Sequence, residues 1–318
     1  MRPAIAGRLL ALPALLALQA CRSDPPVEVV AADGALCDLT QRLAANNLGV
    51  ACLLGPEDDP HQLQLNPAQT RQLRQAKLVL INGYGLTPAL QQLPGAVKVA
   101  EIAVPNSPEL TADQQNDHQE HAHSHGHHHG DQDPHVWHDP RQAAAMTALV
   151  SERLERLAPN HAAQIQARAK AMQASLLNLH QWNLKQFSSI PEPRILASSH
   201  RAFVSLANSY ELEELPVVDA MSSSDALRPQ ALADAVSSLK SRGVRSLFAE
   251  QVPAPKTLER ISSLSGVPIA PQPLRADTGG ANLMSTLTNN TCLIVDALGG
   301  RCDRAGQSAL IQEWERIR

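Results

Sequence analysis

The feature that most constrains this chain is a run of about thirty residues, from Pro159 to Phe187, that no glycine or second proline interrupts. Its apolar residues recur at Ile165, Ala169, Met172, Leu176 and Leu179, at intervals of three or four, which predicts one continuous helix. Proline fits the first turn of such a helix, with Ala158 ahead of it, and Pro191 and Pro193 end it. About thirty helical residues span roughly 45 Å. That is longer than a single strand-helix unit needs, so the run reads as a rigid strut between two halves.

Both flanks alternate short β-branched runs with helical stretches, the pattern of parallel sheet in an α/β chain. Before the strut, strands are expected at Val27–Val30, Val50–Leu54, Leu78–Ile81 and Val97–Ile102, and helices near Leu36–Ala45, Pro67–Ala76 and Arg141–Leu157. After it, strands are expected at Ile195–Ser198, Leu215–Val218, Ser246–Ala249 and Val267–Ala270. Helices fit Ala202–Ser209, Pro229–Lys240, Pro255–Leu264, Leu283–Leu298 and Ser308–Ile317. The expected organisation is an N-terminal α/β lobe over 27–158, a linking helix over 159–189 and a C-terminal α/β lobe over 190–318. Aromatic residues are 3% of the chain, so Leu, Val, Ile and Ala must fill the cores.

Residues 1–20 read as a lipoprotein-type signal peptide: Arg2 and Arg8, then an apolar stretch from Leu9 to Leu18 too short to span a bilayer. Leu18-Gln19-Ala20-Cys21 resembles a bacterial lipobox, which implies cleavage before Cys21, its lipidation and a tether over 21–26. An ordinary secretory leader with a coincidental Cys21 is the plainer alternative. Four further cysteines in an exported chain read as two disulfides. Of the three possible pairings, Cys37–Cys52 and Cys292–Cys302 join residues close in sequence; free thiols or a soft metal site are the other readings, without a CxxC spacing in support. A net charge of −4 offers no electrostatic case for nucleic acid.

Histidine is the compositional anomaly: of 13, nine lie between His118 and His138. The segment 105–134 is nearly devoid of apolar residues and reads as a mobile, functional loop. Its "HQEHAHSHGHHHGDQD" carries His118, His121, His123, His125, His127, His128 and His129 among acids. Such a tract binds Zn²⁺, Cu²⁺ or Ni²⁺ adaptably rather than in one rigid site. A solvated linker is its bland reading.

Four other residues fall at the carboxyl ends of expected strands, where open α/β sheets bind ligands. His61 follows the second strand, His135 the fourth strand and its loop, His200 the fifth strand, and Asp277 the last. A lone histidine there is ordinarily a structural hydrogen bonder. Two residues from each half facing one cleft instead suit Zn²⁺ in a tetrahedral shell, with Zn–N of about 2.0–2.1 Å. The "RADTGG" around Asp277 also fits an ordinary turn, so water is the alternative fourth ligand. Asp59, just before His61, His138, three residues after His135, and Glu250, at the end of an expected strand, are candidates to orient the ligands by hydrogen bonding.

These segments resemble the zinc- and manganese-binding proteins of ABC-type importers, the zinc-uptake (cluster A-I) lipoprotein family, over the whole chain after Cys21. "DPHQLQLNP" is similar to the family's first ligand segment and gives His61; "INGYGLTPAL" is similar to the stretch after it. "DPHVWHDP" gives His135, with His138 where the family has a hydrophobic residue. "SSHRAF" gives His200, "FAEQVPAPKTLERI" carries Glu250, and Asp277 matches the fourth ligand region. The resemblance implies two (β/α)4-type lobes joined by a backbone helix, with the metal between them. It implies capture outside the inner membrane, delivery to a permease with its ATPase, a lipid-anchored monomer and no catalysis. Manganese-type members carry Glu at the third position and lack a long His-rich loop, so His200 and the loop point to zinc. The rival is a zinc hydrolase, with three histidines, an open position and Glu250 as general base. No HExxH or Gly-x-Ser-x-Gly supports it.

Overall fold

The structure, a computed structural model, describes residues 26–55, 58–110, 132–218, 229–277 and 282–318. The signal segment, Cys21 and the seven loop histidines from His118 to His129 lie outside the described residues.

The first sheet holds four parallel strands in the order β2-β1-β3-β4: β1 (Val27–Ala31), β2 (Gly49–Cys52), β3 (Leu78–Ile81) and β4 (Val97–Lys98). Helices α1 (Gly34–Ala44), α2 (Pro67–Gln75), α3 (Val99–Ala103) and α4 (Pro140–Leu157) complete this half. Local chemistry explains the starts. Asp33 caps α1, and α2 opens on Pro67 behind a capping box in which Asn66 and Gln69 satisfy each other's backbone N–H. The expected strand over Val97–Ile102 stops after two residues and turns into α3. Burial there falls on Val99, Ala100 and Val104, with Ile102 exposed, which is helical and not alternating spacing.

The strut is α5 (Ala162–Phe187), entered through a 3₁₀ turn at Pro159–His161. Its 26 residues span about 39 Å. Ile165, Ala169, Met172, Leu176 and Leu179 are all buried, as their spacing predicts.

The second sheet has order β6-β5-β7, all parallel: β5 (Ile195–Ser198), β6 (Glu213–Pro216) and β7 (Leu247–Phe248). In place of a fourth strand over Val267–Ala270 there is one parallel bridge, Leu247 to Ile269. Pro268 lies inside that segment and has no N–H to give a ladder. Around this sheet lie α6 (Val204–Ser209), α7 (Pro229–Ser241) and α8 (Lys256–Ser265).

Helices α9 (Leu283–Ala297) and α10 (Arg304–Arg316) return to pack on α5 and on the first half. Arg42 donates to the Trp314 carbonyl at 2.9 Å, and Trp314 Nε1 donates to Asp38 at 3.0 Å. One hydrophobic core therefore runs from α1 and α4 through α5 to α9 and α10, while the second sheet has a smaller core of its own. Cys37 is bonded to Cys52 and Cys292 to Cys302, the pairs adjacent in sequence. Among the described residues no helix is long and apolar enough to cross a membrane.

Candidate metal centre

The carboxyl ends of both sheets face each other, and each named residue arrives there by its own local device. His61 sits in a 3₁₀ turn, Pro60–Gln62, whose cap is Asp59: the Asp59 carboxylate accepts the His61 backbone N–H at 2.8 Å. His135 precedes another 3₁₀ turn, Val136–His138. Its approach is fixed from β3, because Asn82 Nδ2 donates to the Pro134 carbonyl at 2.7 Å. Gly83 makes that loop possible: φ is +97°, and a Cβ there would meet Glu101 Cγ at 2.8 Å. His200 follows β5 directly, and its backbone N–H donates to Glu250 at 3.1 Å.

The three imidazoles come together. Ring centroids are 5.4 Å apart for His61–His135, 5.6 Å for His135–His200 and 6.1 Å for His61–His200. One nitrogen from each lies within 4.8 Å of the other two. Asp277 stands beside them, its Oδ1 at 3.9 Å from His135 Nε2. Asp59, His61 and Asp277 form a second such group. Both His200 Nε2 and Asp277 Oδ1 are buried without a hydrogen-bond partner, the state of donor atoms that a cation satisfies.

Charge around the cleft is acidic. Burial depresses His200, but contact of its Nδ1 with the Glu250 carboxylate, aided by Asp277 and Glu214, overrides this and raises it to about 9. That contact leaves Nε2 as the nitrogen available for coordination. Burial lifts the Asp277 carboxyl to about 7, with His200 opposing the shift.

The nearby residues take distinct roles. Glu250 orients His200 through both backbone and ring. His138 is fully buried and meets the Ala276 carbonyl at 2.7 Å, next to Asp277. Burial lowers it to about 4, so it is neutral and Nε2–H donates. It is therefore a positioning group one bond from Asp277 and not a member of the imidazole cluster.

Asp133 escaped the sequence reading. It is fully buried, accepts the His135 N–H at 2.8 Å and lies 3.5 Å from the His135 ring. Its other oxygen accepts from Ser205 N and Oγ, at 3.0 and 2.6 Å, across the cleft. An aspartate two residues ahead of a turn histidine was the available signal.

Residues 29–297 match the family profile described as zinc-uptake complex component A, periplasmic. The metal-binding protein YtgA of Chlamydia pneumoniae is 25% identical over 285 residues, 83% of each chain. The metal ABC transporter substrate-binding lipoprotein SloC of Streptococcus mutans is 24% identical over 82% of this chain and 86% of its own. The manganese-binding lipoprotein MntA of Bacillus subtilis is 23% identical over 75% and 76%. Among solved structures, the periplasmic zinc-binding protein TroA of Treponema pallidum superposes with a TM-score of 0.72 at 24% identity, over 86% of this chain and 99% of that one. Fe(III)-bound YtgA of Chlamydia trachomatis gives 0.74 at 20%, over 87% and 100%. At these identities the structural likeness shows the fold.

Proposed function

Since the chain belongs to the family of the periplasmic zinc-uptake complex component A, whose members are metal-binding substrate-binding components of ABC transporters, we propose that it captures zinc outside the inner membrane and delivers it to a permease with its ATPase. The observation that carries this reading is the convergence of His61, His135 and His200 from both halves. In it, their imidazoles and Asp277 bind Zn²⁺, and Asp59, Glu250 and His138 hold the ligands in place. Three nitrogen donors favour zinc over manganese, which prefers oxygen. The alternative cargo is manganese or iron, which the names of relatives of similar identity carry. The chemistry asked of the site is reversible coordination, with no bond made or broken in the cargo.

Motion in this mechanism is small. Besides α5, the halves are tied by Asp133 to Ser205, by His138 to Ala276, and by Ser209 to Asp139 at 2.9 Å. Loading is then a slight tilt with local rearrangement of the ligand loops. The loop from His118 to His129 gathers ions for the cleft, and lipidated Cys21 keeps a monomer at the membrane.

Calorimetric titration with Zn²⁺ and Mn²⁺ tests this. It compares the protein with a His61→Ala/His135→Ala/His200→Ala variant and with one lacking residues 117–130. One tight zinc site that survives loop deletion and is lost in the triple variant supports capture at the cleft. Tight binding that disappears with the loop refutes it, and tighter binding of Mn²⁺ than Zn²⁺ refutes the cargo.

A further inference from the structure

Two groups of ligand atoms share this cleft, and they overlap. His61 belongs to both the imidazole cluster and the group with Asp59 and Asp277. Asp277 also reaches the first, at 3.9 Å from His135 Nε2. Their exposure differs: Asp59 is exposed and His135 is 1% exposed.

Alongside lies a cavity of about 10 Å³, walled by Asp33, Asp58, Pro60, Trp137 and Asp277. That is the space of about one water molecule. Asp33 is 4% exposed; its Oδ1 accepts from Leu36 N, while its Oδ2 is buried with no hydrogen-bond partner. A buried carboxylate oxygen in that state calls for a donor.

We infer that Asp59, His61 and Asp277 form a first, water-retaining position for the incoming divalent cation, which passes from there to the three imidazoles without leaving His61 or Asp277. This rests on the capture reading above. A hydrated cation exchanges water readily for a carboxylate as exposed as Asp59 and keeps part of its shell while bound to it. A retained water fits the small cavity and donates to Asp33 Oδ2. Moving inward, the ion trades Asp59 and that water for the imidazoles of His135 and His200. Two ligands are kept throughout, so no step strips the ion bare, which would cost far more than any single exchange. The same path serves for release.

Stopped-flow measurement of Zn²⁺ association, and of its removal by excess chelator, tests the inference on the intact protein and on Asp59→Asn. Asparagine keeps an oxygen to cap the His61 turn. A group on the path but absent from the final shell affects both directions alike. Association and removal are each expected to slow, in parallel, by about tenfold. The slowing should persist at high ionic strength, which screens long-range steering. Unchanged rates, an effect abolished by salt, or weaker binding at an unchanged association rate would overturn it. A second measurement uses Co²⁺ with His135→Ala/His200→Ala. One ion should bind weakly, with the faint absorption of an oxygen-rich shell, and adding Asp59→Asn should abolish it. No Co²⁺ binding by the double variant, or binding indifferent to Asp59, overturns it as well. Failure of the capture reading looks different, because the unaltered protein would then lack a tight zinc site.

Discussion

Glu250→Gln separates the two things that carboxylate does to His200. In the metal-free protein it helps hold His200 at about 9, so the imidazole must lose a proton before its lone pair can bind zinc. At pH 8 a group with that pKa is about 0.9 protonated. With the carboxylate gone, burial pulls the ring back down against the weaker support of Asp277 and Glu214, and the protonated fraction at pH 8 falls. Asp277, held up to about 7, contributes only about 0.1 proton at that pH. Zinc binding should therefore release fewer protons in the variant, read from the binding enthalpy in buffers of different ionisation heat. Affinity follows with a sign. The loss of an orienting carboxylate costs about 10- to 100-fold in intrinsic affinity. Proton competition at pH 7 handicaps the unaltered protein by about 100-fold, and the variant escapes most of that. The variant's defect should thus be small near pH 7 and reach its full size above pH 9. Stability of the metal-free protein follows the same proton. A pKa raised from 6.5 to about 9 stabilises fully below 6.5 and is lost as pH climbs through 9, so melting temperature should fall over that window and fall less in the variant. Equal proton release by the two proteins at pH 8 would refute the coupling of Glu250 to His200.

Other expectations concern the scaffold. Asp133→Ala removes one acceptor that serves both His135 and Ser205; it should cost about 1–3 kcal/mol in denaturant unfolding and weaken zinc binding about 10-fold or more, and unchanged affinity would show the tie to be idle. His138→Phe fills the site but leaves the Ala276 carbonyl unpaired, at a cost of about 1–3 kcal/mol; affinity should drop while the pH slope set by His200 stays as it was. Leu176→Ala, on a fully buried side chain of α5, should lower stability by about 2–5 kcal/mol with stoichiometry intact, as followed by urea unfolding and calorimetry. Cys292→Ser/Cys302→Ser opens a 10-residue loop and should cost about 2–4 kcal/mol without touching the cleft, which a chevron and a zinc titration on one sample would check.

Legibility in the sequence followed the range of the forces involved. The periods of 2 and 3.6, the prolines and the caps act over a few residues, so the strut, most strands and most helix starts could be read directly; α10, expected from Ser308, starts four residues earlier at Arg304 behind its Asp303 cap. Where two local signals competed, at Val97–Ile102 and around Pro268, the outcome turned on backbone partners elsewhere in the chain: Ala100 N–H finds the Asn82 carbonyl, and Leu247 takes what Pro268 and Ala270 can offer. Residue chemistry and strand-end position marked His61, His135, His200 and Asp277, because the topology of a parallel sheet brings strand ends to one side whatever the intervening loops do.

By itself, then, the sequence determined that two α/β units would meet at a nitrogen-rich cleft beside a stiff helix. Only the tertiary structure decided which acids stand behind which imidazoles. Asp133 and Asp33 are ordinary turn and cap residues when read along the chain; what crosses the cleft to meet the first, and what walls in the second, comes from residues 72 and 244 positions away, Ser205 and Asp277. Burial, the force that shifts a carboxyl or silences His138, is a property of everything packed around a group. No local pattern encodes it.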